Sequence, residues 1–139
     1  MDAFDADVLI YAAAYDHPLG RRIRALFATE PGVKAGVGSV LLLPEILAKP
    51  MRDGPAEELT ALGSLISRLE LQVVDAVTAE VATSLAATHR LRAADAVHLA
   101  TAIVAGADRF ITNNRRDFPD TLTDIDVTYP ETLPDPSTR

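Results

Sequence analysis

Five acidic residues stand out because they interrupt or border apolar segments. Asp5, Asp7 and Glu45 break apolar stretches, Asp95 opens an apolar helical segment, and Asp117 lies in a polar loop after a short apolar run. Two carboxylates about 4 Å apart repel by roughly 4 kcal/mol at an effective dielectric near 20, so a cluster of them requires protons or cations. Mg²⁺ and Mn²⁺ prefer oxygen ligands and can activate water against a phosphoryl group. Metal-assisted phosphodiester hydrolysis is therefore a chemical hypothesis for this set.

Each acid also has a purely structural explanation. Asp5 or Asp7 could end a strand, and Glu45 could occupy a solvated helix position. Asp95 suits the first turn of a helix, where the dipole favours negative charge, and Asp117 could cap a turn. Because the chain contains 20 acidic residues, residue types alone do not select these five.

The acids have to be positioned by an alternating series of strands and helices. The first predicted strand starts at Phe4. The other predicted strands cover residues 33–37, 71–74, 109–112 and 125–128. The predicted helices cover residues 19–28, 40–51, 56–69, 78–88 and 93–105. Such alternation favours an α/β fold with a central, largely parallel twisted sheet flanked by helices. Sites in open sheets of this kind lie at the carboxyl ends of strands, where most of these acids fall.

Composition limits the classes of protein to which the chain can belong. Its 139 residues, 48% of them hydrophobic, are enough for one domain, which we expect over residues 1–129. The three prolines within residues 130–139 predict an extended or disordered tail. The absence of cysteine excludes thiolate chemistry, and a net charge of −7 gives no global attraction for a polyanion. Without an apolar run of roughly 20 residues, we expect a cytoplasmic protein with no membrane contact.

Four segments that contain these acids follow one another in a fixed order. The first is Asp-Ala-Asp-Val-Leu-Ile-Tyr at 5–11. The others are Ser-Val-Leu-Leu-Leu-Pro-Glu-Ile-Leu at 39–47, the Asp-Ala-Val-His segment within 92–102, and Ala-Asp-Arg-Phe-Ile-Thr-Asn-Asn-Arg-Arg-Asp-Phe at 107–118. Together they resemble the PIN-domain ribonuclease family, and most closely its VapC-type toxins, and the first is similar to the family's opening Asp-Thr-Asn-Val-Leu motif. A lone Asp-x-Asp is weak evidence, but four segments in order, across residues 3–129, are specific.

This resemblance implies a fold, an activity and partners. The fold would be a single PIN-like domain, and the activity that of a metal-dependent endoribonuclease. Asp5, Glu45 and Asp95 would be the core acids, with Mg²⁺ or Mn²⁺ held by Asp5 and Asp95. The resemblance also implies an RNA substrate, a homodimer, and neutralisation by a cognate VapB-type antitoxin whose tail covers the groove.

The chain departs from the family pattern at two positions. Asp7 replaces a common asparagine, and either metal ligation or orientation of Asp5 would explain it. Asn114 stands where many relatives have an acid, and Asp117 is a candidate to supply the missing charge. Ser39 and Thr112 resemble polar residues that support the ligands or the scissile phosphate.

Basic and imidazole side chains are the remaining candidates. Arg92, Arg115 and Arg116 could form a local rim that contacts RNA, although an arginine pair in a loop is typically solvated. His98 on an apolar helix is more typical of a hydrogen-bonded core or interface histidine than of a metal ligand.

Two other functions remain open from the sequence. Residues 4–9 also resemble the nucleophile motif of haloacid-dehalogenase-type phosphatases, but the required downstream lysine has only Lys34 and Lys49 as candidates. The second alternative is a catalytically weak PIN-like RNA-binding module, suggested by Asn114 and the acidic net charge.

Overall fold

The structure, a computed structural model, describes residues 1–137 and contains one five-stranded parallel sheet. The strands, in chain order, are β1 Asp2–Phe4, β2 Gly36–Ser39, β3 Leu69–Gln72, β4 Arg109–Ile111 and β5 Asp126–Thr128. Their order across the sheet is β3-β2-β1-β4-β5, and every neighbouring pair is parallel. The predicted α/β class with a single parallel-sheet domain is confirmed.

Six helices connect and cover these strands. They are α1 Ala6–Ala13, α2 Gly20–Leu26, α3 Leu42–Asp53, α4 Ala56–Ser67, α5 Ala76–His89 and α6 Ala93–Val104. Most bounds differ from the predicted ones by one to three residues. Gly106, which follows the last helix, has a φ of 75°, a left-handed conformation that glycine adopts without strain. Within residues 1–137, no helix is long and apolar enough to cross a membrane.

Helix α1 was not predicted, because the sequence pattern indicated a strand from Phe4 and a first helix at residues 19–28. The predicted strand from Phe4 ends at that residue, and α1 begins at Ala6. Asp5 is the N-cap, and its side chain accepts a hydrogen bond from the amide of Ala6. Val8 and Leu9 are fully buried in the same apolar layer as Phe4 and Ile111 of the sheet. The β-branched Val8 within an apolar run favours a strand locally, but the cap at Asp5 and tertiary packing favour the helix.

Two apolar layers cover the two faces of the sheet. Alternate residues of the same strand point to opposite faces, as Phe110 and Ile111 of β4 show. Phe110 packs in the layer formed with α5 and α6, whereas Ile111 packs in the layer formed with α1, α3 and α4. The central strands are therefore buried on both sides, which is usual for a parallel sheet.

Strand order determines where a ligand cleft can form. From β1 the chain proceeds to β2 and β3 on one side, while β4 and β5 lie on the other side. The boundary between β1 and β4 is thus a point where the connections diverge, and such points open a crevice at the carboxyl ends of the strands. Helices α1 and α3 follow strands and α6 precedes one, so all three begin at this edge.

The C-terminal segment differs from the prediction at its start. Pro130–Thr132 form a 3-10 turn, and Leu133 is buried in the layer that contains α1 and α3. Arg22 of α2 donates hydrogen bonds to the carbonyls of Glu131 and Leu133. These contacts attach residues 130–133 to the domain, so they are not a free tail. Of the predicted tail, residues 138–139 lie outside the described residues.

Candidate active site

An open cleft of about 350 Å³ lies at the carboxyl edge of β1 and β4. It is lined by residues from four separate elements: Asp5, Ala6, Asp7, Ile10, Glu45, Ile46, Asp95 and Asn114. The cleft therefore brings together four of the five acids that the sequence singled out. The N-termini of α1, α3 and α6 point to the same edge, and their dipoles partly offset the carboxylate charge.

Asp5 is the most buried of these acids, with 4% of its surface exposed. One carboxylate oxygen accepts from the Ala6 amide at 2.8 Å and the other from the Thr112 hydroxyl at 2.8 Å. Thr112 is adjacent because Phe4 and Ile111 are paired in register, one residue earlier in each strand. Burial raises the pKa of Asp5, although the hydrogen bond from Thr112 lowers it in part. The carboxylate is thus held rigidly where its charge is costly.

Asp7 uses both of its oxygens within the protein. Oδ1 accepts from the Val8 amide at 2.8 Å, and Oδ2 accepts from the Asn113 amide at 3.0 Å. Burial, together with the neighbouring Asp5 carboxylate, raises the pKa of Asp7 from 3.8 to about 7. Asp7 therefore ties the start of α1 to the loop after β4.

Glu45 reaches the cleft from the first turn of α3, and its position follows from the end of β2. Ser39, which is 1% exposed, accepts a hydrogen bond from the Leu41 amide and so stabilises the turn into this helix. The Glu45 carboxylate then contacts His98 of α6, with Oε2 2.5 Å from Nε2. Burial alone lowers the pKa of His98, but the hydrogen bond to Glu45 and the nearby Asp5 charge outweigh it, so the pKa is raised.

Asp95 lies in the first turn of α6 and is partly buried. Burial raises its pKa, and the charges of Asp5, Asp117 and Glu45 add to this increase. The carboxylates are thus close enough to destabilise one another, which is the electrostatic condition that a cation would relieve.

Asn114 and Asp117 form a closed hydrogen-bonded unit in the loop after β4. The Asn114 amide nitrogen donates to the Asp117 carboxylate at 2.9 Å, and the Asp117 backbone amide donates to the Asn114 side-chain oxygen at 3.2 Å. Asn114 lines the cleft, whereas Asp117 is absent from its lining. The side chain that accepts from the backbone of this turn is thus that of Asn114, while the Asp117 carboxylate accepts from the Asn114 amide and its charge helps to raise the pKa of Asp95.

The three arginines proposed to contact RNA are in different situations. Arg115 pairs with Glu131 and lies over the Tyr129 ring at 4.2 Å from its centroid, so its guanidinium is already engaged. Arg116 is exposed in the same loop, and Arg92 is exposed at the N-cap of α6. Exposure leaves Arg92 and Arg116 more accessible than Arg115.

The acidic side chains of the cleft offer oxygen atoms as possible metal ligands. Within residues 1–137, no three histidine or acidic side chains are grouped closely enough to hold a metal ion by themselves. Mg²⁺ commonly retains several waters and takes only one or two protein carboxylates, so an open cleft with separated acids fits that mode of binding.

Sequence reasoning placed His98 in the core but did not find its contact with Glu45. The two residues are 53 positions apart, so no local pattern could reveal the contact. The available signal was its spacing, because His98 lies one helical turn after Asp95 and shares its side of α6. Ile10, an exposed apolar residue of the cleft, was not identified either.

Comparison with known proteins places these features in context. The model of the PIN domain matches residues 3–121. No curated protein sequence is significantly similar to the chain.

Solved structures share the fold at low sequence identity. A toxin–antitoxin complex from Klebsiella pneumoniae is 22% identical, with a TM-score of 0.72 over 94% of this chain and 98% of that chain. VapBC2 from Rickettsia felis, bound to a DNA fragment from its promoter, is 17% identical, with a TM-score of 0.70 over 92% and 97%. DNA-bound VapBC from Salmonella typhimurium is 21% identical, with a TM-score of 0.71 over 93% and 97%.

Proposed function

We propose, from the premise that this chain belongs to the PIN domain family, that it is a metal-dependent endoribonuclease and the toxin of a VapBC-type toxin–antitoxin pair. The observation that carries the proposal is the cleft itself, in which Asp5, Glu45 and Asp95 meet at the carboxyl edge of the sheet. Burial raises the pKa of both Asp5 and Asp95, and the Glu45 charge adds to the increase in each, which is typical of acids at a functional site.

Asp5 and Asp95 are the residues that we propose hold Mg²⁺ or Mn²⁺. Asp5 is fixed by Thr112 and Ala6, and Asp95 extends from the start of a buried helix, so both present carboxylate oxygen to the cleft. A bound divalent cation would supply activation of water and stabilisation of charge on the scissile phosphate. Glu45, on the opposite wall, is suited to accept a proton from the attacking water.

Asp7, Ser39, Thr112 and Asn114 would support this set. Thr112 orients Asp5 directly, and Ser39 stabilises the turn that leads to the helix of Glu45. Asp7 would act as an anchor for the loop after β4, because both of its oxygens are already bonded within the protein. Asp117 would contribute negative charge from behind Asn114, which would itself be a neutral orienting group.

RNA would be contacted by the exposed Arg92 and Arg116, with Arg115 available only if its pair with Glu131 opens. Because the net charge is −7, these local cations and the bound metal would have to offset long-range repulsion from phosphate. Structured RNA with exposed loops suits an open cleft better than a duplex does. Binding should weaken as salt screens the arginines.

A partner protein is the remaining part of the proposal. The structures with the same fold are toxin–antitoxin complexes, and we extend this pairing to a VapB-type antitoxin for the present chain. A second cleft continues from the first past Ile10 and Ile46 to Pro50 and Leu62, which gives a tail an apolar path to the acids. A homodimer and a cytoplasmic location complete the proposal.

Cleavage of total cellular RNA by the purified protein tests the activity. We expect cleavage with Mg²⁺ or Mn²⁺, none in EDTA, and a large loss in Asp5→Asn and Asp95→Asn. Asp16→Asn is the matched control, because it removes one charge from an exposed acid outside the cleft. Persistent cleavage in EDTA contradicts the metal requirement, and metal binding without cleavage supports the RNA-binding module instead. The PIN domain match is inconsistent with the phosphatase alternative.

A short neighbouring gene for a DNA-binding antitoxin tests the biological role. We expect its product to co-purify with this chain and to suppress cleavage. A nuclease that stays active beside every neighbouring gene product would instead be a processing enzyme.

A further inference from the structure

A side-chain contact between Glu45 and His98 joins α3 to α6, the two helices that bring Glu45 and Asp95 to the cleft. Glu45 of α3 is 36% exposed, whereas the His98 side chain of α6 is 1% exposed. The two meet at 2.5 Å between Oε2 and Nε2. A glutamate at a helix surface has several accessible rotamers, and a buried histidine has few, so the contact makes the histidine the fixed member.

The surroundings of His98 determine which nitrogen carries hydrogen in this contact. A charged carboxylate only accepts hydrogen bonds, so Nε2 must donate to Glu45. The other nitrogen, Nδ1, is buried and has no hydrogen-bond partner within residues 1–137. A hydrogen on Nδ1 of the neutral ring would therefore be buried without an acceptor while Nε2 lost its donor role. The contacts therefore place a hydrogen on Nε2, in the neutral and in the protonated ring alike.

We propose that His98 is a positioning residue that holds the Glu45 carboxylate over the cleft through an Nε2–H hydrogen bond. His98 does not line the cleft, so it acts through Glu45 and not on a substrate. Because His98 lies one turn after Asp95 on α6, its bond to Glu45 also fixes the distance between Glu45 and Asp95. This inference rests on the proposed nuclease function, but its central contact exists without it.

Kinetic comparison of three substitutions tests the role. His98→Met keeps a similar volume and removes the donor, whereas His98→Gln retains an N–H group at similar reach. We expect His98→Met to lower kcat about 10- to 100-fold with little change in KM, and His98→Gln to restore a substantial part. His89→Met is the matched control, because His89 Nε2 contacts Asp124 at 3.1 Å outside the cleft. It should leave kcat within about twofold of the wild-type value.

A second background separates positioning from general damage. In Glu45→Ala, which removes the group on which His98 acts, adding His98→Met should cost less than about a further twofold. Wild-type kcat in His98→Met, or equal losses in both backgrounds, would overturn the proposal.

Nitrogen-15 NMR of the metal-free protein gives a test that does not depend on cleavage. We expect Nε2 of His98 to carry hydrogen, in a neutral or a protonated ring, and this hydrogen-bonded proton to change its resonance in Glu45→Ala. A neutral ring with hydrogen on Nδ1 contradicts the proposal even if RNA is cleaved. A wild-type protein that shows the expected ring but cuts no RNA contradicts the proposed function alone. If His98→Met does not fold, His98→Gln and the wild-type spectrum still decide the question.

Discussion

Acidic residues at the two edges of the sheet have different hydrogen-bond partners. At the amino-terminal edge, Asp2 receives two hydrogen bonds from Arg109, at 2.8 and 3.0 Å, across the β1–β4 pair. At the carboxyl edge, just after the end of the same strand, Asp5 contacts neutral donors and its pKa is raised by burial. The Asp2 charge is balanced by Arg109, whereas the Asp5 charge is not balanced by a cationic donor. This difference distinguishes a structural acid from one that is available to a ligand.

The largest effect is expected when the Asp5 charge is removed at the carboxyl edge. Asp5→Asn should lower RNA cleavage by about a thousandfold or more, because the substitution keeps the shape and removes the charge. The same variant should melt at a higher temperature without metal, since a buried carboxylate is relieved. Kinetics and thermal melts measure both effects. Near-normal cleavage would contradict the catalytic role of Asp5. An unchanged or lower melting temperature without metal would show that its charge does not destabilise the carboxyl edge.

Asp117 extends the carboxyl edge into the loop after β4. Asp117→Asn should reduce cleavage about tenfold and weaken Mn²⁺ binding, because its charge would no longer act beside Asp95. Asn114→Asp should be tolerated or bind Mn²⁺ more tightly. Titration calorimetry with Mn²⁺ measures the binding. If Asp117→Asn loses only stability, the residue is a turn cap and the site has three acids.

A divalent cation should stabilise the protein through the carboxyl edge alone. A ligand specific for the native state at ten times its Kd adds about 1.4 kcal/mol, or roughly 5 °C in Tm. We expect this increase in the wild type and in Asp2→Asn, and a much smaller one in Asp95→Asn. Chelation with EDTA should reverse it. An equal shift in all three proteins would place the bound ion elsewhere.

Acidification should stabilise the metal-free protein, for a reason specific to the carboxyl edge. Burial raises the pKa of Asp7 to about 7, so the folded state binds a proton more tightly than the unfolded state. This stability is present below the unfolded pKa near 4 and is lost as the pH rises through 7. Between pH 8 and 6 the free energy of unfolding should increase by about 1.4 kcal/mol, and Asp7→Asn should remove that part of the slope. Urea titrations at the two pH values measure it. A slope that Asp7→Asn leaves unchanged would assign the proton to another group.

The smallest effect is expected at the amino-terminal edge. Asp2→Asn breaks a partly exposed ion pair and should lower stability by about 1 kcal/mol while leaving cleavage unchanged. Urea denaturation and the RNA assay check the two halves of this statement. A strong loss of cleavage without unfolding would mean that the two edges are coupled.

Sequence patterns located the edge but not its contacts. Apolar periodicity placed Asp5, Glu45 and Asp95 near element ends, and parallel topology brings such ends together. Helix α1 was missed, because Val8 and Leu9 suit a strand as well as a helix until packing decides. Tertiary pairs such as Arg115 with Glu131 have no local signature. They arise only when the chain is folded, which explains why Arg115 appeared as available as Arg116.

The pairing of β1 with β4 has a consequence for synthesis of the protein. Asp5 and Thr112 are 107 positions apart, and the cleft requires both strands side by side. Such non-local pairing forms late, after the intervening loop-closure entropy has been overcome. A nascent chain that still lacks β4 therefore has no cleft, whatever has folded before it. A ribosome making this proposed nuclease would be exposed to it only once nearly the whole chain had emerged.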